Sequence, residues 1–408
     1  MNRWTGGVLV TVVVLLAGCN VFGDFDNPND PWGTKYGQFP TVTLANRTID
    51  LIRSSSGTVT FPVSTASVAE GTPGSVDWFA DAPATVPGSA PAGVTVTVGP
   101  VSGQTSTVTL TETAPATLGQ YRFRVRFGSA VSFPGTLGVR LLPVVPVSGG
   151  TFFNGSANMT VSSFRIGPYD VTRAQFEVIM GFDPVTSNSM GDTDPVQNVS
   201  WYQAIAFCNK LSLAEGLTPV YSVFGVDFSG LISFPPNTGN DAGWDAVTAD
   251  WTANGYRLPT EAEWMWAAMG GRSDARSGDF DGIGVNKLGY TKGYSGSIEA
   301  GATQTSIDNF AWTATGGTTT HPVGGKSQNE LGLFDMSGNV TQWCWDWSDP
   351  LPGADKIDYH GAVSSALEKR VDHGGAPDTG ISFFAVNARD LDFPYLSFVD
   401  VGFRVVRR

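Results

Sequence analysis

Three short stretches of this chain begin with a hydroxyl residue followed three positions later by Gln or Glu: Thr172–Gln175, Ser200–Gln203 and Thr260–Glu263. In such a capping box the hydroxyl accepts the third helical N–H, and the amide or acid reaches back to the cap's own N–H. The pattern fixes where three helices start. Two of the ends are marked as well. Gly216 follows the apolar face Ala204, Ile205, Cys208 and Leu211, and Gly270-Gly271 follows Trp264, Ala267 and Ala268. Helices this short, set among 50 glycines and 25 prolines, do not suit a bundle. They predict an α+β domain with much irregular backbone over residues 148–408.

The preceding hundred residues read differently. Val42–Leu44, Thr58–Phe61, Val94–Val98 and Ser106–Leu110 are β-branched stretches of period two, and Tyr121–Phe127 alternates apolar with cationic residues. Turn clusters such as Ala69–Gly74 separate them. Short strands at this spacing predict an all-β, immunoglobulin-like sandwich over residues 39–147, acting as a stalk. Pro143, Pro146 and Gly149-Gly150 mark its end.

Residues 1–18 read as a leader. Arg3 supplies a positive start, and Gly7–Leu16 is apolar but too short to span a bilayer. Leu16-Ala17-Gly18-Cys19 resembles the bacterial lipobox, which implies lipidation of Cys19 and a membrane anchor. Residues 19–38, polar with Pro28 and Pro31, read as a tether. A net charge of −13 argues against nucleic acid and against broad attraction to anionic headgroups. Cys208 and Cys344 lie in apolar, aromatic neighbourhoods. They read as buried free thiols, although an exported compartment permits a disulfide and spacing alone does not show whether they meet.

Several motifs stand in a recognisable order: Phe164–Phe176, Pro195–Tyr202, Phe207–Ser212, Gly255–Trp264, Asn329–Val340 and Gly402–Val406. Over roughly residues 147–408 they resemble the sulfatase-modifying-factor domain, that of the formylglycine-generating enzymes. The resemblance implies a C-type-lectin-like fold in which Arg257, Glu261, Glu263 and the neighbouring tryptophans are internal struts. It also implies a pair of copper-binding cysteines after the Gly-Gly turn. Here Gly375–Arg389 contains no cysteine, so catalytic residues are expected to be none and no cofactor to be required. A related branch holds iron through histidines, but His321, His360 and His373 form no close pair in the sequence. The family's calcium loops map onto Asn309, Phe310, Asn339, Val340 and Gln342, a candidate structural calcium site weakened by Gln where the family has Glu.

The C-terminal run is unusual in composition. From Val371 to Arg408 there is no Lys, Glu, Gln, Met or Trp. Adenine randomisation of Asn codons excludes those five types and can yield every type present. The run resembles the variable region of proteins diversified by retroelements. Its apolar and polar residues together are too sticky for an idle solvated loop. The expected ligand contacts are Ala376, Pro377, Asp378, Thr379, Ser382 and Phe384, then Asp390, Leu391, Asp392, Phe393, Tyr395, Leu396, Ser397, Phe398 and Val399. The function read from the sequence is therefore a lipid-anchored binding protein on the outer surface of a bacterial envelope. It would present residues 376–401 to a protein or glycan ligand on a catalytically inactive scaffold. The alternatives are a formylglycine-generating oxidase acting on sulfatase cysteines and a purely structural envelope lipoprotein.

Overall fold

The computed structural model describes residues 40–408 apart from 54–56, 82, 186, 190, 236–237, 275–278 and 299–303. The expected leader, Cys19 and the segment up to Gln38 lie outside the described residues. No helix of the described residues is long and apolar enough to cross a membrane.

The N-terminal strands are β1 (Thr41–Leu44), β2 (Thr48–Ile52), β3 (Thr58–Ala66), β4 (Gly74–Phe79), β5 (Val94–Val98), β6 (Thr105–Glu112), β7 (Gly119–Phe127), β8 (Ala130–Val131) and β9 (Gly135–Arg140). They form two sheets, β1-β3-β6-β5 and β2-β9-β7-β4, with β8 paired to β7. The expected alternation is present. In β7 the side chains of Phe123, Val125 and Phe127 enter the core with Val63, Val108 and Leu137. Arg122, Arg124 and Arg126 point outward, and Arg126 pairs with Asp77 at 2.7 Å. A core between two such sheets is an immunoglobulin-like sandwich. The pairing of β2 with β9 is parallel over five residues.

Val145–Val147, expected at the sandwich's end, instead pairs with Phe164–Ile166 in the second unit. The transition is braced by charge. Arg140, in the last residue of β9, donates to Asp50 at 3.0 Å and to the backbone oxygen of Glu215 at 3.1 Å. The fully buried Glu215 carboxylate accepts from Leu141 N at 2.7 Å and Tyr256 OH at 2.9 Å. Gln120 adds a bond to Gly216 O at 2.7 Å. The sandwich is therefore bolted to the second unit at its helix-capping turn.

In the second unit all three capping boxes form as their sequences predict, at the starts of helices Arg173–Met180, Trp201–Ala214 and Glu261–Ala268. Among its short-stranded sheets, two position the C-terminal run. One joins Val145–Val147, Phe164–Ile166, Val406–Arg407 and Tyr256–Arg257. The other orders Asp390–Asp392, Arg370–His373, Thr341–Trp347 and Val401–Gly402. Two hydrophobic clusters flank this second sheet. One gathers helix Trp201–Ala214 with Trp343 and Phe403. The other gathers helix Glu261–Ala268 with Cys344, Val371 and Val386. The whole is α+β, with the second unit behind an all-β sandwich.

Candidate ligand-binding surface

The C-terminal run is held at both ends by strands. Arg370–His373 pairs antiparallel with Thr341–Trp347, and Val401 pairs parallel with Thr341. Between them the chain leaves the sheet through Gly374 and Gly375, at φ 107° and 68°. A side chain is strained in that region. At Gly375 a Cβ would also lie 3.1 Å from the Phe383 carbonyl and from Thr379 Oγ1. The turn then closes on itself. Thr379 Oγ1 accepts from Ala376 N at 2.9 Å and donates to Ala376 O at 2.8 Å. A single 3-10 turn, Ile381–Phe384, follows.

The structure divides the expected contact residues into two groups. Ala376, Pro377 and Phe384 are buried and cannot form the surface. Phe384, only 1% exposed, plugs a pocket made by Tyr294, Ile307 and Ala311, and its carbonyl accepts from Ser337 Oγ at 2.9 Å. These three are corrected from contacts to frame. Asp378, Ser382 and Val399 are exposed, while Thr379, Asp390, Leu391, Asp392, Phe393, Tyr395, Leu396, Ser397 and Phe398 are half-buried. Leu391 packs downward on the Val371 cluster, and Tyr395 and Phe398 rest on the Trp343 cluster. The Phe393 and Tyr395 rings lie 5.5 Å apart. Sequence reasoning missed Ile381 and Phe383, 37% and 38% exposed beside buried Phe384. Nothing in a Phe-Phe pair says which ring turns out.

Beneath this surface lie the struts. Gln342 Oε1 accepts from Trp264 Nε1 at 2.7 Å and Arg404 Nε at 2.6 Å, and its Nε2 donates to Asp335 O at 2.6 Å. Arg257 holds Glu263 through two bonds of 2.6 and 2.7 Å. Glu261 takes His373 Nε2 at 3.1 Å and Arg389 at 3.0 Å.

Of the expected calcium set, Gln342 and the Asn339 side chain do not fit a cation site in this arrangement. The Gln342 oxygen is saturated by two donors, one of them a guanidinium that would repel a cation. Asn339 Oδ1 accepts from His321 N, and its Nδ2 donates to His321 O, both at 3.0 Å. Asn309 and Phe310 belong to a turn in which Asn309 O accepts from Ser327 N, and Val340 is buried. Among the described residues no group of three or more His, Cys, Asp or Glu is arranged to hold a metal.

The thiols are equally enclosed. Cys208 and Cys344 are free and buried, in different hydrophobic clusters. Burial pushes both thiols above their ordinary range, which disfavours the thiolate form. Each of the three histidines stacks on a tryptophan: His321 on Trp312, His360 on Trp251 and His373 on Trp264. They are separate packing units.

Comparison with known proteins agrees with this frame. Residues 137–408 match the sulfatase-modifying factor enzyme 1-like domain. The chain belongs to that family. Among solved structures, Treponema denticola variable protein 1 superposes with a TM-score of 0.55 at 34% identity, covering 68% of this chain and 96% of that one. The chaperone protein LppX of Paenibacillus barcinonensis is 39% identical over 210 residues, 50% of this chain and 71% of that protein. A formylglycine-generating enzyme of Streptomyces coelicolor is 33% identical over 166 residues, and the match spans about half of its length (49%). The family thus contains enzymes and proteins named for other roles.

Proposed function

We propose that this family member is a lipid-anchored binding protein of the bacterial cell envelope, without formylglycine-generating activity. Its ligand surface is the exposed and half-buried part of residues 378–399, and the ligand is a protein or glycan. One observation carries the reading. A run rich in Phe, Tyr, Leu and Asp is pinned at both ends by strands and from below by Phe384, yet keeps aromatic and aliphatic side chains open to solvent. Binding residues commonly ride on loops held by a rigid scaffold. The similarity to a protein named as variable supports the same reading. Cys19 would provide the anchor.

The test is the coding sequence of this gene from several isolates. Substitutions concentrated at adenines in the codons for residues 376–401 are the expected result. An even spread over the domain overturns the variable-surface reading. The oxidase alternative draws on family membership. Turnover of a cysteine-containing sulfatase peptide with copper and oxygen, lost on C208S or C344S, would replace the proposal with it.

A further inference from the structure

The half of the surface carried by strand Asp390–Asp392 has the wrong charge for a resting protein. Asp372 stands directly across from Asp390 in the antiparallel pair, and Arg370 across from Asp392. Paired residues in such a ladder share a face, so these four side chains point to one side. Val371 and Leu391, between them, point to the other and enter the core.

Asp372 is fully buried, and neither of its carboxylate oxygens has a hydrogen-bond partner. Burial first, then Asp392, Asp390 and Asp400, push its carboxyl far above the ordinary range. Burial, then Asp390, raise Asp392 to about 6. Asp400 is raised by burial and then by Asp378. Among the described residues none of these five carboxylates takes part in an ion pair.

The cations nearby make their hydrogen bonds elsewhere, and only Lys369 offsets Asp372 and Asp392, through space and without an ion pair. Arg370 lies between the rings of Trp201 and Trp347, 3.7 and 3.4 Å from their centroids, and donates to Trp345 O at 2.7 Å. Arg389 serves Glu261. Lys369 donates to Leu391 O at 3.0 Å, with its ammonium 5.1 Å over the Phe393 ring. A ring that carries one cation on a face is chemically suited to a second on its other face.

Asp390, Asp392 and Asp400 crowd negative charge around a buried acid that burial holds protonated, and a buried acid without a hydrogen-bond partner costs stability. Such an arrangement is retained most readily where a ligand completes it. Resting on the proposed binding role, we infer that this half of the surface receives a lysine or arginine side chain of a protein ligand. The incoming cation would sit between Asp390, Asp392 and Asp400, above the unpartnered Asp372 and against Phe393 and Tyr395. The apolar half, with Ile381, Phe383 and Val399, would supply the area around it.

The experiment is to pan a displayed random peptide library against the whole protein, then against two variants. One is Asp390→Asn/Asp392→Asn/Asp400→Asn, which relieves repulsion and should melt no lower than wild type. The other is Phe393→Ser/Val399→Ser. Expected is enrichment of Lys or Arg, with roughly tenfold weaker binding to the triple variant and on replacing the peptide's arginine by neutral citrulline. Binding should also weaken as sodium chloride is raised roughly tenfold. Peptides that are lost on the serine variant but carry no basic residue overturn this inference and leave the binding role standing. Peptides indifferent to both variants, or no enrichment at all, overturn both.

Discussion

The adjacent residues Phe383 and Phe384 give a sharp test of which part of the C-terminal run is frame and which is surface. Phe384 is 1% exposed and fills the space between Tyr294, Ile307 and Ala311. Truncation to alanine removes the buried ring and leaves a cavity, which costs about 3–5 kcal/mol. For a domain of this size each kcal/mol lowers the melting temperature by about 2–4 °C, so Phe384→Ala should melt roughly 6–20 °C below wild type. Phe383 is 38% exposed, and its truncation should cost about 1 kcal/mol or less. Calorimetry of the two variants, side by side, reads the difference. Equal melting temperatures would refute the division, as would a Phe383→Ala protein that melts far below Phe384→Ala. The same division predicts natural variants: position 383 tolerates polar residues, and position 384 does not.

Three further outcomes follow from the struts and the join. Burial raises the Glu215 carboxyl from 4.5 to about 6. Between those values the folded state holds a proton that the unfolded state has released, so this group's contribution to stability is fully present below pH 4.5 and is lost as pH rises through 6. Glu215→Gln lacks this loss. It should therefore gain about 2 kcal/mol on wild type between pH 4.5 and 7 in denaturant titrations, and a gain in the opposite direction refutes the assignment. Gln342→Leu strands Trp264 Nε1, Arg404 Nε and Asp335 O, all of which it now satisfies. At about 1–3 kcal/mol for each buried orphan, a loss of about 3 kcal/mol or more is expected by chemical denaturation, and a loss under about 1 kcal/mol counts against the strut. Cys208 and Cys344 should resist a thiol reagent in the native protein and react on unfolding. Fast native labelling of either would contradict their burial.

Local rules made the scaffold legible. A capping box states its own geometry, so all three helix starts were readable without tertiary information. The alternation in Tyr121–Phe127 gave both the strand and its inward face. Gly374-Gly375 announced a turn that other residues resist. What the sequence withheld was pairing at long range. Gln342 stands in a stretch that the family resemblance reads as a calcium loop. Only the fold reveals Trp264 and Arg404 on its oxygen, from positions far away in the chain. The burial of Ala376, Pro377 and Phe384 depends in the same way on residues brought in from elsewhere. Asp372 was silent too, because its meaning comes from standing opposite Asp390 in a ladder. The start of the second unit was misplaced by a few residues, since Val145–Val147 looks the same whichever sheet it joins.

The Arg140–Glu215 fastening has a mechanical side. On the proposed binding role, a tug on a captured partner would travel through the second unit and enter the sandwich at the end of β9. Because β9 runs parallel to β2, a load leaving toward the N-terminus pulls the two strands lengthwise past each other. Their hydrogen bonds then have to yield together instead of one by one, so the sandwich resists most stiffly along the line in which a held ligand would strain it.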